Sequence, residues 1–285
     1  MSLLGLEDRQ WILLATVVFA SSFILGAYSA LKLRRKTGRP YMLGLVCFGW
    51  ILQTIGLYAR GLEYGGCPLA NRFELVQFMV WSAICLYIFV GAAFRVSLLG
   101  VFTSSFATLF SILSLAIPSW DSPERFPIFG ESPWIEMHAA LALFSYGVFG
   151  ILALTSIMYL LQSRSLKTKS MGGFFPFMPS IVELAHINTR LLWIGFIILT
   201  ISLIIGSVYW TRDLASVDTL KVSTTATVWL AYGVLLFFRA KQSLSSKRFS
   251  WICIGFFIAA LVSLDVVDQQ PSAQEVDMPP DLQGS

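Results

Sequence analysis

The chain contains two histidines, His138 and His186, and imidazole is the side chain best suited to bind a metal or a haem iron. His138 stands five residues after Pro133 at the start of a long apolar segment, and His186 precedes the next one. An ionisable ring inside such a segment is costly and often marks a functional site. The alternative is a neutral imidazole that is hydrogen-bonded to a neighbouring helix.

Met79 is a further candidate ligand, because a thioether and an imidazole together form a recognised pair of haem ligands. It lies six residues after Phe73, where the third apolar segment begins. Methionine also fills irregular gaps in apolar cores, so core packing is the alternative to ligation.

Arginine and aromatic residues occur together in several connections between apolar segments. Arginine binds carboxylates in a bidentate way, and aromatic faces stack on flat rings. The combination suits a flat, anionic, amphipathic ligand, and the alternative is the aromatic belt of an ordinary membrane protein. The groups are Arg60 and Arg72 with Tyr58 and Tyr64, Arg125 with Trp120 and Trp134, and Arg212 with Trp210.

The composition predicts the elements that must position these residues. Of the 285 residues, 56% are hydrophobic and 13% are charged, a balance too apolar for a soluble domain of this size. A bilayer core about 30 Å thick needs roughly 20 apolar residues per helix. We therefore predict an all-α integral membrane protein, in which residues 1–267 form a bundle of about eight transmembrane helices. The expected spans are 11–31, 41–58, 73–94, 97–117, 133–162, 187–209, 222–238 and 249–264.

Residues 268–285 contain four acidic residues, three prolines and no basic residue, which predicts an acidic, disordered tail. Between the third and fourth spans a turn is required near residues 95–100, since one helix over both segments would be twice as long as a bilayer needs.

The distribution of basic residues predicts the orientation. The first, third, fifth and seventh connections hold 13 Lys and Arg, and the opposite side with both termini holds 6. Because cytoplasmic loops are enriched in basic residues, both termini are expected outside, in a multi-pass protein of the cell inner (plasma) membrane. His138 would then lie about 7 Å below the outer surface and His186 near the inner one, so the two rings cannot share one ion.

Several classes of function are disfavoured by the composition. The net charge of +4 is not gathered on one face, which argues against nucleic-acid binding. The four cysteines show no C-x-x-C spacing, which argues against a dithiol or metal site. The acidic residues of the spans lie near helix ends, so no proton relay at mid-depth is expected. No pattern of a hydrolase or transferase is present, and we do not expect an enzyme.

Three segments, in this order, resemble the cytochrome c assembly membrane proteins of the CcsA and HemX type. CPLANRFELVQFMVW, residues 67–81, is similar to the family's Pro-Leu-small-Asn turn with a following acidic residue. Residues 132–161 resemble the family's histidine-bearing helix, with His138 at the motif histidine. Residues 184–210 resemble the next span. The motif positions are Pro68, Leu69, Asn71 and Glu74, then His138 and Tyr146, then Asn188, Arg190, Gly195 and Gly206.

The resemblance implies a protein that handles haem near the outer face, embedded in the lipid bilayer and acting with other cytochrome c maturation proteins. His138 would ligate the haem iron, with Arg72 or Arg125 binding the propionates. Trp134 and Met79 complete the expected haem-binding set.

The chain departs from haem-delivering members in one outer loop. Those members carry a tryptophan-rich motif, roughly W-G-x-x-W-x-W-D, and a second outer histidine. Here residues 211–224 read TRDLASVDTLKVST, and no histidine follows His186. The chain is then expected to bind haem more weakly, to act with a partner that supplies the missing ligand, or to be a HemX-like regulator of haem metabolism.

Two other functions remain open at the level of sequence. One is a small-molecule permease, which helices broken at mid-membrane would favour. The other is a non-catalytic scaffold that holds assembly factors, which co-purification of partners without haem would favour.

Overall fold

The computed structural model describes residues 5–33, 39–94, 98–121, 133–168, 179–210 and 219–268. Within these ranges the chain forms eight α-helices, each long and apolar enough to cross a membrane, and no β-sheet. The predicted all-α membrane bundle is therefore confirmed. The helices are α1 Asp8–Tyr28, α2 Arg39–Tyr64, α3 Arg72–Phe94, α4 Leu99–Ala116, α5 Pro133–Thr168, α6 Ile181–Trp210, α7 Thr219–Ala240 and α8 Ser246–Asp268.

Two short elements accompany the helices. A π-helical turn, Ser29–Leu33, continues α1, and a 3-10 turn, Pro118–Trp120, follows α4. The break expected near residues 95–100 falls between Phe94 and Leu99. The predicted tail lies outside the described residues from residue 269 onward.

Helix α5 is longer than the sequence pattern suggested. It runs for 36 residues to Thr168, past the expected end at residue 162. At 1.5 Å per residue it is about 54 Å long, well beyond the 30 Å of a bilayer core. Its last turns, which contain Arg164 and Lys167, therefore extend past the hydrocarbon.

Contacts between helix ends show that successive helices run in opposite directions. Asp8 at the start of α1, Arg60 near the end of α2 and Glu74 near the start of α3 form one ion cluster. At the other end of the bundle, Arg239 near the end of α7 donates to Thr189 near the start of α6. We call the end where α1 begins and α8 finishes the terminal end, and the other the opposite end.

The hydrophobic core is centred on α5, which packs against α3, α6 and α8. Residues 145–156 of α5 are all buried. A Cβ added at Gly147 would overlap the Ser82 side chain, and one at Gly195 would lie 2.5 Å from the Phe149 ring. Glycines therefore let α3 and α6 approach α5 closely. This close packing fixes the positions of the α3, α5 and α6 residues at the terminal end relative to one another.

Candidate functional site

His138 lies at the terminal end, where it joins α5 to α6. Its Nδ1 atom is 2.7 Å from the backbone oxygen of Ser202 and 3.1 Å from the Ser202 hydroxyl. The same hydroxyl donates to the backbone oxygen of His138 at 2.8 Å. Ser202, about two turns before the end of α6, is thus tied to the first turns of α5.

Gly206, one turn after Ser202, makes room for the imidazole ring. A Cβ at this position would lie 2.7 Å from His138 Nδ1 and 2.8 Å from Cε1. Any side chain there would displace the ring, because the hydrogen bond to Ser202 leaves it little freedom. Ser202 and Gly206 are four residues apart and therefore lie on one face of α6. We call these two small residues the seat of the imidazole.

The hydrogen bond to a carbonyl oxygen selects the tautomer of His138. A carbonyl oxygen only accepts, so Nδ1 carries the proton and donates it to Ser202. The lone pair is then on Nε2. This is the arrangement in which histidines ligate metals, with one nitrogen held by a backbone carbonyl and the other basic enough to bind. The ring and its seat therefore fit a ligand of haem iron.

His186 cannot reach the same ion. It is exposed on the first turns of α6, 16 residues before Ser202. That separation corresponds to about 24 Å along the helix. The two imidazoles lie near opposite ends of the bundle.

Met79 lies in the hydrophobic core rather than at the helix ends. Its side chain is fully buried in α3. The Trp81 and Phe144 rings, 6.5 Å apart, set the register between α3 and α5. With this register, Met79 is about 6 to 9 Å deeper than His138 along the bundle axis. Core packing accounts for its position, and its role as a ligand stays a prediction.

Trp134 and Arg72 both lie at the terminal end, and Arg125 falls outside the described residues. Trp134 precedes His138 by four residues, so both project from one face of α5, and its side chain is 62% exposed. An exposed indole one turn above the imidazole suits stacking on a flat ring. Arg72 begins α3 and is half-buried.

Arg60 is occupied by carboxylates of its own chain. Its Nε donates to Glu74 at 2.6 Å and its Nη1 to Asp8 at 2.6 Å, and Nη2 pairs with Asp121. The Arg60 side chain is 4% exposed and that of Glu74 is fully buried. Sequence reasoning placed Arg60 among the ligand-binding arginines and treated Glu74 as a residue of a helix end. The structure instead makes both of them parts of a buried ion cluster.

The cluster extends to neighbouring residues of the terminal end. Arg9 pairs with Asp121 at 3.2 Å, and Asn71 accepts from the Glu74 backbone N–H at 2.9 Å. The guanidinium of Arg60 also lies 4.9 Å from the Phe73 ring centroid. Buried charges persist only when such partners compensate their desolvation. The arrangement is suited to hold α1, α2 and α3 together, and each of the three nitrogens of the Arg60 guanidinium is paired with a carboxylate of the chain.

A cavity of about 340 Å³ lies between the terminal halves of α7 and α8. It lies at the depth of His138, because Trp229 of α7 donates to Thr200 of α6, two residues from Ser202. Its walls combine hydroxyl and small apolar side chains. They include Ser223, Thr224, Thr227, Tyr232, Ala260 and Ser263.

A second cavity, of about 510 Å³, lies between α2 and α3 at the terminal end. Trp81, Phe78 and Tyr58 form much of its wall, together with Cys67 of the α2–α3 connection. Burial, with Glu136 and Glu74 nearby, raises the pKa of the Cys67 thiol to about 11. This thiol is therefore protonated at neutral pH and a poor nucleophile.

Sequence reasoning missed Ser202, the residue that holds the candidate ligand. A weak signal was present, since Ser202 precedes Gly206 by four residues in the segment that follows the histidine-bearing helix. Small residues at that spacing indicate close helix contact. They do not indicate which residue of the neighbouring helix is contacted.

Comparison with known proteins gives a consistent picture. Residues 69–267 match the family described as "Cytochrome C assembly protein". The chain is 27% identical to protein HemX of Brevibacillus brevis over 206 residues, 72% of this chain and 75% of that protein. It is 28% identical to protein HemX of Bacillus subtilis (strain 168), covering 81% and 84% of the two chains. It is 26% identical to cytochrome c biogenesis protein CcsA of Guillardia theta, covering 78% and 81%.

Proposed function

Since this chain belongs to the cytochrome c assembly protein family, a family of membrane proteins of cytochrome c biogenesis, we propose that it binds haem at the terminal end of its bundle through His138. The single observation that carries the proposal is the seat of the imidazole. Ser202 fixes Nδ1 as the donor, Gly206 makes room for the ring, and Nε2 carries the lone pair that a haem iron needs.

The remaining residues of the site have separate tasks. Bound haem supplies a Lewis-acidic iron and two anionic propionates. Trp134 offers an exposed aromatic face on the same side of α5 as His138. Arg72 and Arg125 are the cations proposed for the propionates, as the family resemblance implies, whereas Arg60 is paired with three carboxylates. The protein acts as an assembly factor that holds its cargo, without making or breaking covalent bonds.

The terminal end is proposed to face the outer, non-cytoplasmic side of the cell inner membrane. The support is the excess of Lys and Arg in the connections at the opposite end, 13 against 6. Single cysteines introduced at Ser2 and Ser243 of a cysteine-free variant, probed in whole cells with a membrane-impermeant thiol reagent, test this orientation. Labelling at Ser2 alone is expected, and labelling at Ser243 alone contradicts it.

Haem binding is tested with purified protein in detergent. Titration with haem should give a Soret band that the His138→Ala variant shifts, with an affinity lower by about tenfold or more. His186→Ala is the matched control, since it removes the other imidazole about 24 Å away. The same Soret spectrum and affinity for wild type and His138→Ala would show that the ligand assignment is wrong.

A partner-dependent or regulatory role is a second candidate. The observation that favours it is the chain's composition, with one histidine at the terminal end and no tryptophan-rich loop after α6. A partner that supplies a second ligand for the iron would bring other maturation proteins to this end of the bundle. If haem binds only in the presence of a co-purified protein, and His138→Ala abolishes it, this version of the function is supported.

The permease alternative gains no support from the helices. A path for a substrate usually requires helices that are broken near the middle of the membrane. Among the described residues, α5 to α8 each run without interruption, and the π-helical turn after α1 lies at its end.

A further inference from the structure

The interior of α5 to α8 contains a set of polar side chains that continues from one end of the bundle towards the other. We call it the polar column, formed by Tyr146, Ser263, Tyr232, Cys253, Ser156, Asn188, Thr189 and Arg239. Ser263, at one end of the column, is 17 residues from Ser246, which accepts from Arg239 at 3.4 Å at the other end. That separation is about 25 Å, most of the thickness of a bilayer core.

The two ends of the polar column are hydrogen-bonded within the protein. At the terminal end, the Tyr146 and Ser263 hydroxyls are 3.2 Å apart. At the opposite end, Arg239 donates from Nε to the Thr189 hydroxyl at 3.0 Å. The Arg239 guanidinium also lies 4.8 Å from the Phe249 ring centroid.

The middle of the column is also linked. Asn188 of α6 donates from Nδ2 to the Ser156 hydroxyl of α5 at 3.2 Å. Cys253 of α8 and Tyr232 of α7 are buried in the same hydrophobic core. All four residues are at most 1% exposed.

Two polar atoms of the column have no protein partner. Over the described part of the chain, neither the hydroxyl oxygen of Tyr232 nor Oδ1 of Asn188 accepts or donates a hydrogen bond. Leaving such atoms dry inside a membrane bundle is costly. Buried polar atoms in native proteins are usually paired, and ordered water is the common partner where the protein offers none.

Room for water lies next to Tyr232. The ring of Tyr232 forms part of the wall of the 340 Å³ cavity between α7 and α8, and so does Ser263. One water needs a space of only about 10–15 Å³ and two to four polar partners. The cavity wall offers hydroxyls of Ser223, Thr224 and Thr227 in addition.

We propose that ordered water occupies this cavity and hydrogen-bonds the Tyr232 hydroxyl, so that the part of the polar column nearest the terminal end is hydrated. The ligand of the site is water, or a small solute that donates and accepts hydrogen bonds. This water site is separate from the His138 seat and does not depend on haem binding.

The sign of a stability change tests the proposal. Tyr232→Phe removes one hydroxyl and keeps the ring that stacks on Phe149 at 3.7 Å. If water bonds the hydroxyl, the variant should lose stability, with a Tm lower by about 2 °C or more. If the hydroxyl is dry and unpaired, its removal should leave the Tm unchanged or raise it, and that result would overturn the proposal.

Ser22→Ala is the matched control. The Ser22 hydroxyl is also fully buried and has no partner among the described residues, but it lies in α1, outside the cavity and the polar column. Its removal should leave the Tm unchanged or raise it slightly. Tyr232→Phe and Ser22→Ala are therefore expected to change the Tm in different directions.

Radiolytic hydroxyl labelling of the wild-type protein gives a second measurement that requires no variant. Hydroxyl radicals formed from bound water oxidise side chains that touch it, so Tyr232 should be labelled although it is buried. Met79, which is fully buried in α3 and readily oxidised, should stay unlabelled. Labelling of Met79 with no labelling of Tyr232 would overturn the proposal even if the variants fold poorly.

Discussion

The two halves of the terminal end treat their polar residues in different ways. In α1 to α4, the buried Arg60 is paired with Glu74, Asp8 and Asp121 of the same chain. In α5 to α8, the His138 ring donates from Nδ1 to Ser202, which places its lone pair on Nε2. The first arrangement suits a structural role. The second holds a neutral side chain firmly in the tautomer that the proposed ligation of haem iron requires.

The contrast has an electrostatic cause. A guanidinium cannot lose its charge, so burial forces it to collect carboxylates. An imidazole can be buried in its neutral form with a single hydrogen bond. A haem ligand in a membrane bundle can therefore be a neutral side chain.

We expect the largest effect from disrupting the ion cluster around Arg60. Arg60→Leu leaves Glu74 fully buried without its cation, and the free energy of unfolding should fall by about 3–5 kcal/mol. Thermal or denaturant unfolding in detergent measures this. Arg9→Leu is the control, because that side chain is 40% exposed and its pair with Asp121 should contribute only about 0–1 kcal/mol. Equal effects of the two substitutions would contradict the distinction between the halves.

The next effect concerns the seat of the imidazole. Gly206→Ala places a methyl group where the His138 ring lies, so haem affinity should fall by about 10- to 100-fold, as for other supports of metal ligands. A haem titration followed by absorbance measures the change. Gly255→Ala is the matched control, since nothing lies within 4 Å of a Cβ there. An unchanged affinity in Gly206→Ala would mean that the ring position is not important for binding.

A third prediction probes the boundary between the halves, where Cys67 of the α2–α3 connection lies near Glu136 of α5. In a variant that keeps only this cysteine, the alkylation rate should rise about tenfold per pH unit until the pH approaches 11, because the thiolate is the nucleophile. Glu136→Gln should lower the pKa and speed alkylation at mildly alkaline pH. Burial, the largest cause of the raised pKa, should still keep the reaction slower than for an exposed cysteine. A faster reaction at neutral pH than that of an exposed thiol would contradict the geometry.

The smallest effect is expected for Ser202→Ala. The hydroxyl is lost, but the backbone oxygen that accepts from His138 Nδ1 remains. The loss of stability should be about 1 kcal/mol, and haem affinity should change by less than about fivefold. A loss as large as that of His138→Ala would mean that the hydroxyl, and not the carbonyl, positions the ring.

Much of the fold follows from the sequence because the bilayer restricts the choices. Eight apolar segments predict eight helices, and the break between α3 and α4 falls where the length argument requires it. The end of α5 was missed by six residues, since its polar last turns no longer carry the apolar signal. Helix boundaries in water are set by capping and packing rather than by hydropathy.

The candidate site was predictable only in part. His138 and Trp134 could be found because imidazole and indole at the start of an apolar segment are informative by themselves. Arg60 was misjudged because its three partners come from α1, α3 and the turn after α4, up to 61 residues away in the chain.

The sequence by itself determined that this is an eight-helix membrane protein of the cytochrome c assembly family, and that its two imidazoles lie too far apart to share an ion. Hydropathy, charge and motif residues are local properties, and in a bilayer they determine how deep each residue lies in the membrane. Only the tertiary structure decided which arginine forms ion pairs with carboxylates, which nitrogen of His138 is hydrogen-bonded to Ser202, and where a cavity remains between α7 and α8. Those outcomes depend on the rotation of each helix about its axis, which the packing of glycines and side chains sets between segments far apart in the chain.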